Sequence, residues 1–412
     1  MNNSKYMKKA SVILLIIGLM YLPFASSSIV ARAVVSDPFN NPSFEQAATN
    51  VAKAFDWQDF GNGYSRVAGG RTGQWAMQVQ SSDTTSMSGA YQRIDLQQTS
   101  SNPVFIGAYV KGENIVKDAG SYFGASVYAE IHLMNGQTAY WNTSANSGTF
   151  DWRWIGFNTG SIPTVTGPID YIFVIPSLIK ASGTATFDDL SVQDFVPTQA
   201  AVTIMFDDGP VTASTVAKPV LDSYGFKATI PVISSYIGTT GYMTTAQINT
   251  VAQSGWEIMC HSVLHEDMTL MSASQVTAEY QGCKTALQAW TPKNFAFPFG
   301  AYNGNLVAEG ATYFSSLRGF EQGNNSQGTF PYDVKVRGIT TQTTLADIQA
   351  WLATAKANKQ WVVLVFHDIT NTGDDIYHTT PRQFRQIMRA VKNSAIPVKT
   401  YDQALQQFAV TK

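Results

Sequence analysis

The chain changes rhythm near its middle. From about residue 36 to 195, short runs alternate apolar and polar positions, as in AYQRIDL, VFIGAYV and ASVYAEIHL, with Gly, Asn and Ser between them. A period of two puts every second side chain on one face, so each run reads as a half-buried strand, and the series predicts an antiparallel β-sandwich. After VPTQAA (196–201) the pattern becomes apolar strands alternating with amphipathic helices. Strands are expected at 202–206, 227–232, 256–260, 294–298, 333–339 and 361–366, and helices near 214–223, 244–253, 273–290, 344–357 and 381–393. A βα repeat of this kind folds as a parallel sheet or barrel.

Length and charge narrow the picture. A chain of 412 residues suits two cores better than one, and a formal net charge of -2 provides no basic field for nucleic acid. The first 33 residues stand apart: Lys5, Lys8 and Lys9 precede an uncharged stretch from Ala10 to Ala31, then small residues around Ala31-Arg32-Ala33. This is the layout of an export signal, and the stretch is also long enough to remain as a membrane anchor. Either outcome makes the protein secreted or cell-surface, with a sandwich at 34–196 and a βα domain at 197–412. Of the two cysteines, Cys260 falls on a strand and Cys283 on a helical stripe with Val276, Tyr280 and Leu287. A bridge between them and two free core thiols both fit. Oligomeric state leaves no mark in the pattern.

In βα folds reactive side chains gather where strands end. Asp207 and Asp208 follow the strand 202–206, His261 and His265 follow 256–260, and His367 follows 361–366. Adjacent carboxylates repel, so the Asp pair needs a compensating charge. His261 and His265, four apart, face the same way if their loop makes a helical turn. Two imidazoles and one carboxylate suit Zn²⁺, leaving the second aspartate to take a proton from water. His378, in a polar loop, and His132, in the first half, read as ordinary residues.

The segments FDDGP, HSVLHEDM, FAFPFGAYN and VLVFHDI, in this order and spacing, resemble the polysaccharide deacetylase family, the NodB-homology domain of carbohydrate esterase family four. The resemblance covers about 200–410 and implies a distorted (β/α)7-like barrel. It implies a hydrolase that removes N-acetyl groups from a glycan such as an N-acetylglucosamine polymer, using Zn²⁺, Co²⁺, Ni²⁺ or Mn²⁺. By the same resemblance Asp207 is the general base, Asp208, His261 and His265 are the metal ligands, and His367 is the acid for the leaving amine. The Phe299 N–H holds the oxyanion, while Pro298 and Gly300 shape the groove wall; Phe297, Phe299 and Tyr302 either stack on sugar faces or pack into the barrel rim. Two features depart from the family: its arginine two residues before this proline is Ala296 here, and its Asp-x-x-Asp-Trp segment is absent, with YDVKVRGI near its place. Arg337 or Lys335 is therefore expected to supply the missing cation. An O-acetyl xylan esterase and a catalytically impaired glycan-binding surface protein are the alternatives.

NNPSFEQ (40–46) and GTATFDDLSVQDF (183–195) resemble the outer strands of jelly-roll carbohydrate-binding modules. That resemblance implies a jelly roll with a structural Ca²⁺, for which Glu45 and Asp188 or Asp189 are the candidate ligands. Trp57, Trp75, Trp141, Trp152 and Trp154 lie in this half. Trp152 and Trp154 share one strand face, inner or outer.

Overall fold

The computed structural model describes residues 38–117, 123–143, 146–373 and 375–411. The expected signal segment, 1–33, lies outside them. Among the described residues no helix is long and apolar enough to cross a membrane.

The first half holds strands Gln58–Gly61 (β1), Ser65–Ala68 (β2), Trp75–Ser81 (β3), Met87–Asp95 (β4), Val104–Lys117 (β5), Ala125–Leu133 (β6), Thr138–Asn142 (β7), Gly148–Asn158 (β8), Ile169–Ile179 (β9) and Ala181–Asp194 (β10). They form two antiparallel sheets, ordered β1-β4-β9-β6-β7 and β2-β3-β10-β5-β8. Alternation fills the space between them: on β6, Val127, Ala129, Ile131 and Leu133 are buried, while Tyr128, Glu130 and His132 are only partly covered.

The second half holds Ala201–Phe206 (β11), Thr229–Val232 (β12), Glu257–Cys260 (β13), Asn294–Ala296 (β14), Ser316–Arg318 (β15), Arg337–Gly338 (β16) and Trp361–Phe366 (β17). Its helices are Lys218–Tyr224 (α1), Thr245–Gln253 (α2), Ala273–Ala286 (α3), Gly304–Tyr313 (α4), Leu345–Asn358 (α5), Pro381–Ser394 (α6) and Tyr401–Phe408 (α7). The strands form one parallel sheet, ordered β15-β14-β13-β12-β11-β17-β16. Between the two edge strands a single bridge joins Gln322 to Val336. Outward-facing Val202, Ile204, Phe206, Val362, Leu364 and Phe366 pack into the helical layer. Inward-facing Ala201, Met205, Trp361, Val363 and Val365 meet Tyr401, Ala404 and Phe408 of α7, which closes the inner space from below. The two halves share packing: Phe105 of β5 stacks on Phe330 at 6.0 Å, and Trp154 of β8 meets the same ring edge-on at 4.9 Å.

Several elements depart from the sequence pattern. β14 stops at Ala296 because Pro298 has no N–H to continue a ladder. Of the expected strand 333–339, only Arg337 and Gly338 pair with β17, while Val336 bridges Gln322. The helix expected at 273–290 ends at Ala286, followed by a separate turn at Gln288–Trp290 and left-handed Thr291. Unexpected are α4, which contains Gly310 and is capped by Asn303, the three-residue β15, and α7, which starts at a Thr400–Gln403 capping box. Cys260 and Cys283 are both free and buried, and burial pushes the Cys260 thiol up.

Candidate active site

Strand alternation selects which side chains reach the inner mouth of the sheet. Inward-facing Ala201 and Met205 continue to Asp207, Met259 to His261, and Trp361, Val363 and Val365 to His367. The turn after β11 then adds Asp208, left-handed at φ 72°, beside Gly209 at φ 77°. Asp208 Oδ1 lies 3.2 Å from His261 Nε2 and 3.3 Å from His265 Nε2.

The two histidines converge through an irregular loop, not the helical turn expected from their spacing. Ser262 and His265 adopt φ 64° and 56°, and the His265 N–H donates to Ser262 Oγ at 2.9 Å. Buried Glu279 of α3 accepts the N–H groups of Val263 (2.6 Å) and Leu264 (3.1 Å), fixing the loop from behind. His261 is 3 % exposed, and its Nδ1–H donates to the Ala296 carbonyl at 2.8 Å. That bond leaves the Nε2 lone pair of a neutral ring facing Asp208, and a carbonyl behind a histidine is a usual support for a metal ligand.

The donor set fits a divalent cation. Asp208 Oδ1 is buried without a hydrogen-bond partner, and it faces two imidazole nitrogens, the whole set lying within 4.8 Å. Lone pairs brought together this way repel unless a positive charge sits among them. Burial raises the Asp208 carboxyl, but the facing His261 ring, with His367 and His265 near it, outweighs that and holds the group well below the usual carboxylate range. Burial, with the His261 ring beside it, pushes His265 down to about 4, so its ring is neutral at pH 7.

Asp207 is 2 % exposed and pairs through Oδ1 with the Nη2 of Arg318, which is 0 % exposed. Arg318 is the cation that Ala296 cannot provide, and the register explains its place: Ala296 of β14 pairs directly with Arg318 of β15. The Arg318 Nη1 also donates to the Gly319 carbonyl at 3.1 Å. This corrects the expectation for Arg337 and Lys335. Arg337 donates to Asn324 Oδ1 at 3.2 Å and lies over the Trp351 ring at 5.1 Å, away from Asp207. The available signal for Arg318 was an arginine inside the short segment SSLRGF, where a charge on an inward-facing strand position needs a partner.

Phe299 takes φ 56° and its exposed ring packs on His265 at 4.6 Å, which brings its backbone to the metal-ligand set. Pro298 is buried, and Tyr302 stacks on Phe297 at 5.2 Å. His367 packs near Phe320 (6.2 Å) and Tyr377 (5.1 Å), and its Nδ1 has no hydrogen-bond partner among the described residues. His378 caps the Asp375 carbonyl and His132 stacks on Tyr171, both apart from this cluster.

In the sandwich, the expected calcium ligands accept hydrogen bonds from the 71–75 loop. Glu45 accepts the N–H groups of Gln74 (3.0 Å) and Trp75 (2.9 Å), and Asp188 those of Arg71 (2.6 Å) and Thr72 (3.2 Å). Asp189 pairs with Arg71 at 2.6 Å. Burial and the Asp189 charge push Asp188 up to about 6. Among the described residues these acids form no three-donor cluster; the one such cluster is Asp208, His261 and His265.

Residues 195–313 match the family model described as polysaccharide deacetylase. A bifunctional xylanase/deacetylase of Pseudobutyrivibrio xylanivorans is 27% identical over 173 residues, 40% of this chain and 28% of that relative. The putative polysaccharide deacetylase YxkH of Bacillus subtilis (strain 168) is 32% identical over 114 residues, 27% of this chain. The chain thus spans 28% and 41% of the lengths of these two relatives. Among solved structures, a family 4 acetyl xylan esterase from Clostridium thermocellum, in complex with a cobalt ion, overlaps with a TM-score of 0.38. It is 22% identical and the overlap covers 50% of this chain and 90% of that one.

Proposed function

From a chain whose residues 195–313 carry a polysaccharide deacetylase domain, we propose an exported, metal-dependent hydrolase that removes N-acetyl groups from an N-acetylglucosamine-containing glycan of the cell wall or extracellular matrix. The observation that carries this reading is the convergence of Asp208, His261 and His265 beside the sealed Asp207–Arg318 pair. Asp208 and the two imidazoles would hold the cation, Zn²⁺ by preference for a mixed nitrogen and oxygen set. When bound, it supplies a Lewis acid for the acetyl carbonyl and acidifies water.

The protein's own groups do the rest. Arg318 engages Asp207 Oδ1, which leaves Oδ2 to take the proton of the attacking water. The Phe299 N–H, turned by its left-handed backbone beside His265, donates to the oxygen that gains charge as the carbonyl is attacked. His367 delivers a proton to the nitrogen as the C–N bond breaks, so that acetate and a free amine leave. Pro298 and Tyr302 form the groove wall. We read the sandwich as a jelly-roll module that holds the same polymer, and the first 33 residues as the signal or anchor that takes the protein out of the cell.

The deciding experiment measures acetate release by the metal-stripped and zinc-loaded protein on N-acetylglucosamine oligomers, peptidoglycan and acetylxylan in parallel. Zinc-dependent release from an amino-sugar substrate is expected. Release from acetylxylan alone would establish an O-acetyl esterase instead, and silence on all three would leave a glycan-binding protein. Asp207→Asn is expected to abolish turnover and keep the metal, whereas His261→Ala loses both.

A further inference from the structure

Between the β7 and β8 edges of the sandwich and α4 of the second domain lies a cleft of about 850 Å³, separate from the metal-ligand cluster. Its sandwich wall presents Trp141, 39 % exposed, and Trp152, half-buried. Among the described residues neither indole ring stacks on another ring and neither Nε1 donates a hydrogen bond; the other strand tryptophan, Trp154, is packed against Phe330 and Tyr332. Large apolar rings left open on a cleft wall are platforms for the C–H faces of pyranose rings.

The opposite wall is acidic. Glu321 and Asp333 line it together with Tyr302 and Lys335. The Asp333 carboxylate accepts no hydrogen bond among the described residues, and its removal from water, with Lys335 and Glu321 as its only charged neighbours, pushes it up to about 6. Burial, with Asp333 and Glu321 beside it, likewise raises the Tyr302 hydroxyl. On this wall two carboxylates meet one lysine, a local excess of negative charge that an ammonium group would relieve; Lys117 and Arg153 belong to the facing sandwich wall, where Arg153 donates to Asn305 Oδ1 at 2.6 Å.

The cleft adjoins the catalytic centre through one short segment. Arg318 pairs with Asp207, Phe320 packs near His367, and Glu321 reaches Tyr302 and the cleft. A polymer running past the reacting acetyl group therefore has the cleft as a neighbouring stop.

We propose that this interdomain cleft is a second glycan site that takes an amino-sugar chain with free amines, stacked on Trp141 and Trp152 and paired through its ammonium groups with Asp333 and Glu321. It rests on the deacetylase reading only for the source of that ligand, which would be the product of the adjacent reaction. Acetylation removes the positive charge, so the cleft favours deacetylated over acetylated stretches and retains the polymer as deacetylation proceeds.

Titration calorimetry of the full chain with glucosamine and N-acetylglucosamine oligomers of equal length tests this. Tighter binding of the glucosamine oligomer is expected. Trp141→Ala and Trp152→Ala each weaken it, together by roughly tenfold, and Asp333→Asn removes the preference for the free amine. Acetate release from a small soluble acetyl substrate stays unchanged in all three. Trp152→Phe, which keeps a stacking face, restores binding and so separates loss of the platform from loss of fold. Equal binding of the two oligomers, or tryptophan variants that bind as the parent does, would overturn the proposal even in an active deacetylase. Oligomer binding that depends on both tryptophans, in a protein that releases no acetate from any substrate, would uphold the cleft and remove the deacetylase reading.

Discussion

Arg318 and Asp207 are sealed from water as a pair, and among the described residues neither has a second ion-pair partner. Removing one member of a buried ion pair leaves the other desolvated and uncompensated, a loss of roughly 3–5 kcal/mol. Arg318→Ala is therefore expected to lower the urea midpoint by that amount and to depress turnover, while Arg337→Ala, which loses only its Trp351 and Asn324 contacts, leaves turnover unchanged. A second test at this scale concerns His265, which burial holds near 4. Between pH 6.5 and 4 the unfolded chain binds a proton here that the folded chain refuses, so folding stability falls as pH falls through that window and is fully present above it. In metal-free protein, the loss of stability between pH 7 and pH 5 should be smaller for His265→Gln than for the parent, measured by urea titration.

At the scale of elements, the site is built from short strands whose ends are shaped by backbone turns. Gly300 closes the turn after Pro298 at φ 69°, and a Cβ there would lie 2.4 Å from the Phe320 Cβ and 2.7 Å from its backbone nitrogen. Neither can yield without moving the segment that carries Arg318 and approaches His367. Gly300→Ala combines a left-handed strain with overpacking, a cost of about 1–3 kcal/mol, and it should lower turnover more than it lowers the urea midpoint. The elements legible from periodicity, such as β11, β17, α5 and α6, are those with long regular patterns. β15 and α7 were not, because three strand residues or two helical turns carry too little period to stand out, and their existence is decided by what packs on them.

The whole molecule has a seam that is also a core. Phe105 belongs to a sandwich strand, yet it is fully buried in the core of the βα half, between Trp154 of its own sheet and Phe330. Phe195 joins the same core from the last sandwich segment. Truncating such a ring to alanine removes roughly 3–5 kcal/mol of stability, and because the packing is shared the loss should appear in both domains. Calorimetry is expected to show one transition for the parent, lowered as a unit in Phe105→Ala; two separated transitions in the parent would mean that the domains unfold independently.

Asp207, His261 and His367 could be placed from the sequence alone because each directly follows a short apolar run that reads as a strand of a βα fold, and such a run is a local property of the chain. The change of rhythm at 196–201 marked the switch from antiparallel sheets to a parallel one for the same reason. The partner of Asp207 could not be placed in this way. Arg318 lies 111 residues further along, and what sets it opposite Ala296 is the register of β15 on β14, a choice made by packing over the whole sheet. The hydrogen bonds of Glu45 and Asp188 were likewise decided by which backbone N–H groups the 70–75 loop turns toward them. The cleft beside Trp152 exists only because the sandwich and the βα half meet there. Periodicity is written in neighbouring residues, whereas register, loop closure and domain contact are sums over distant ones, and only the tertiary structure performs that sum.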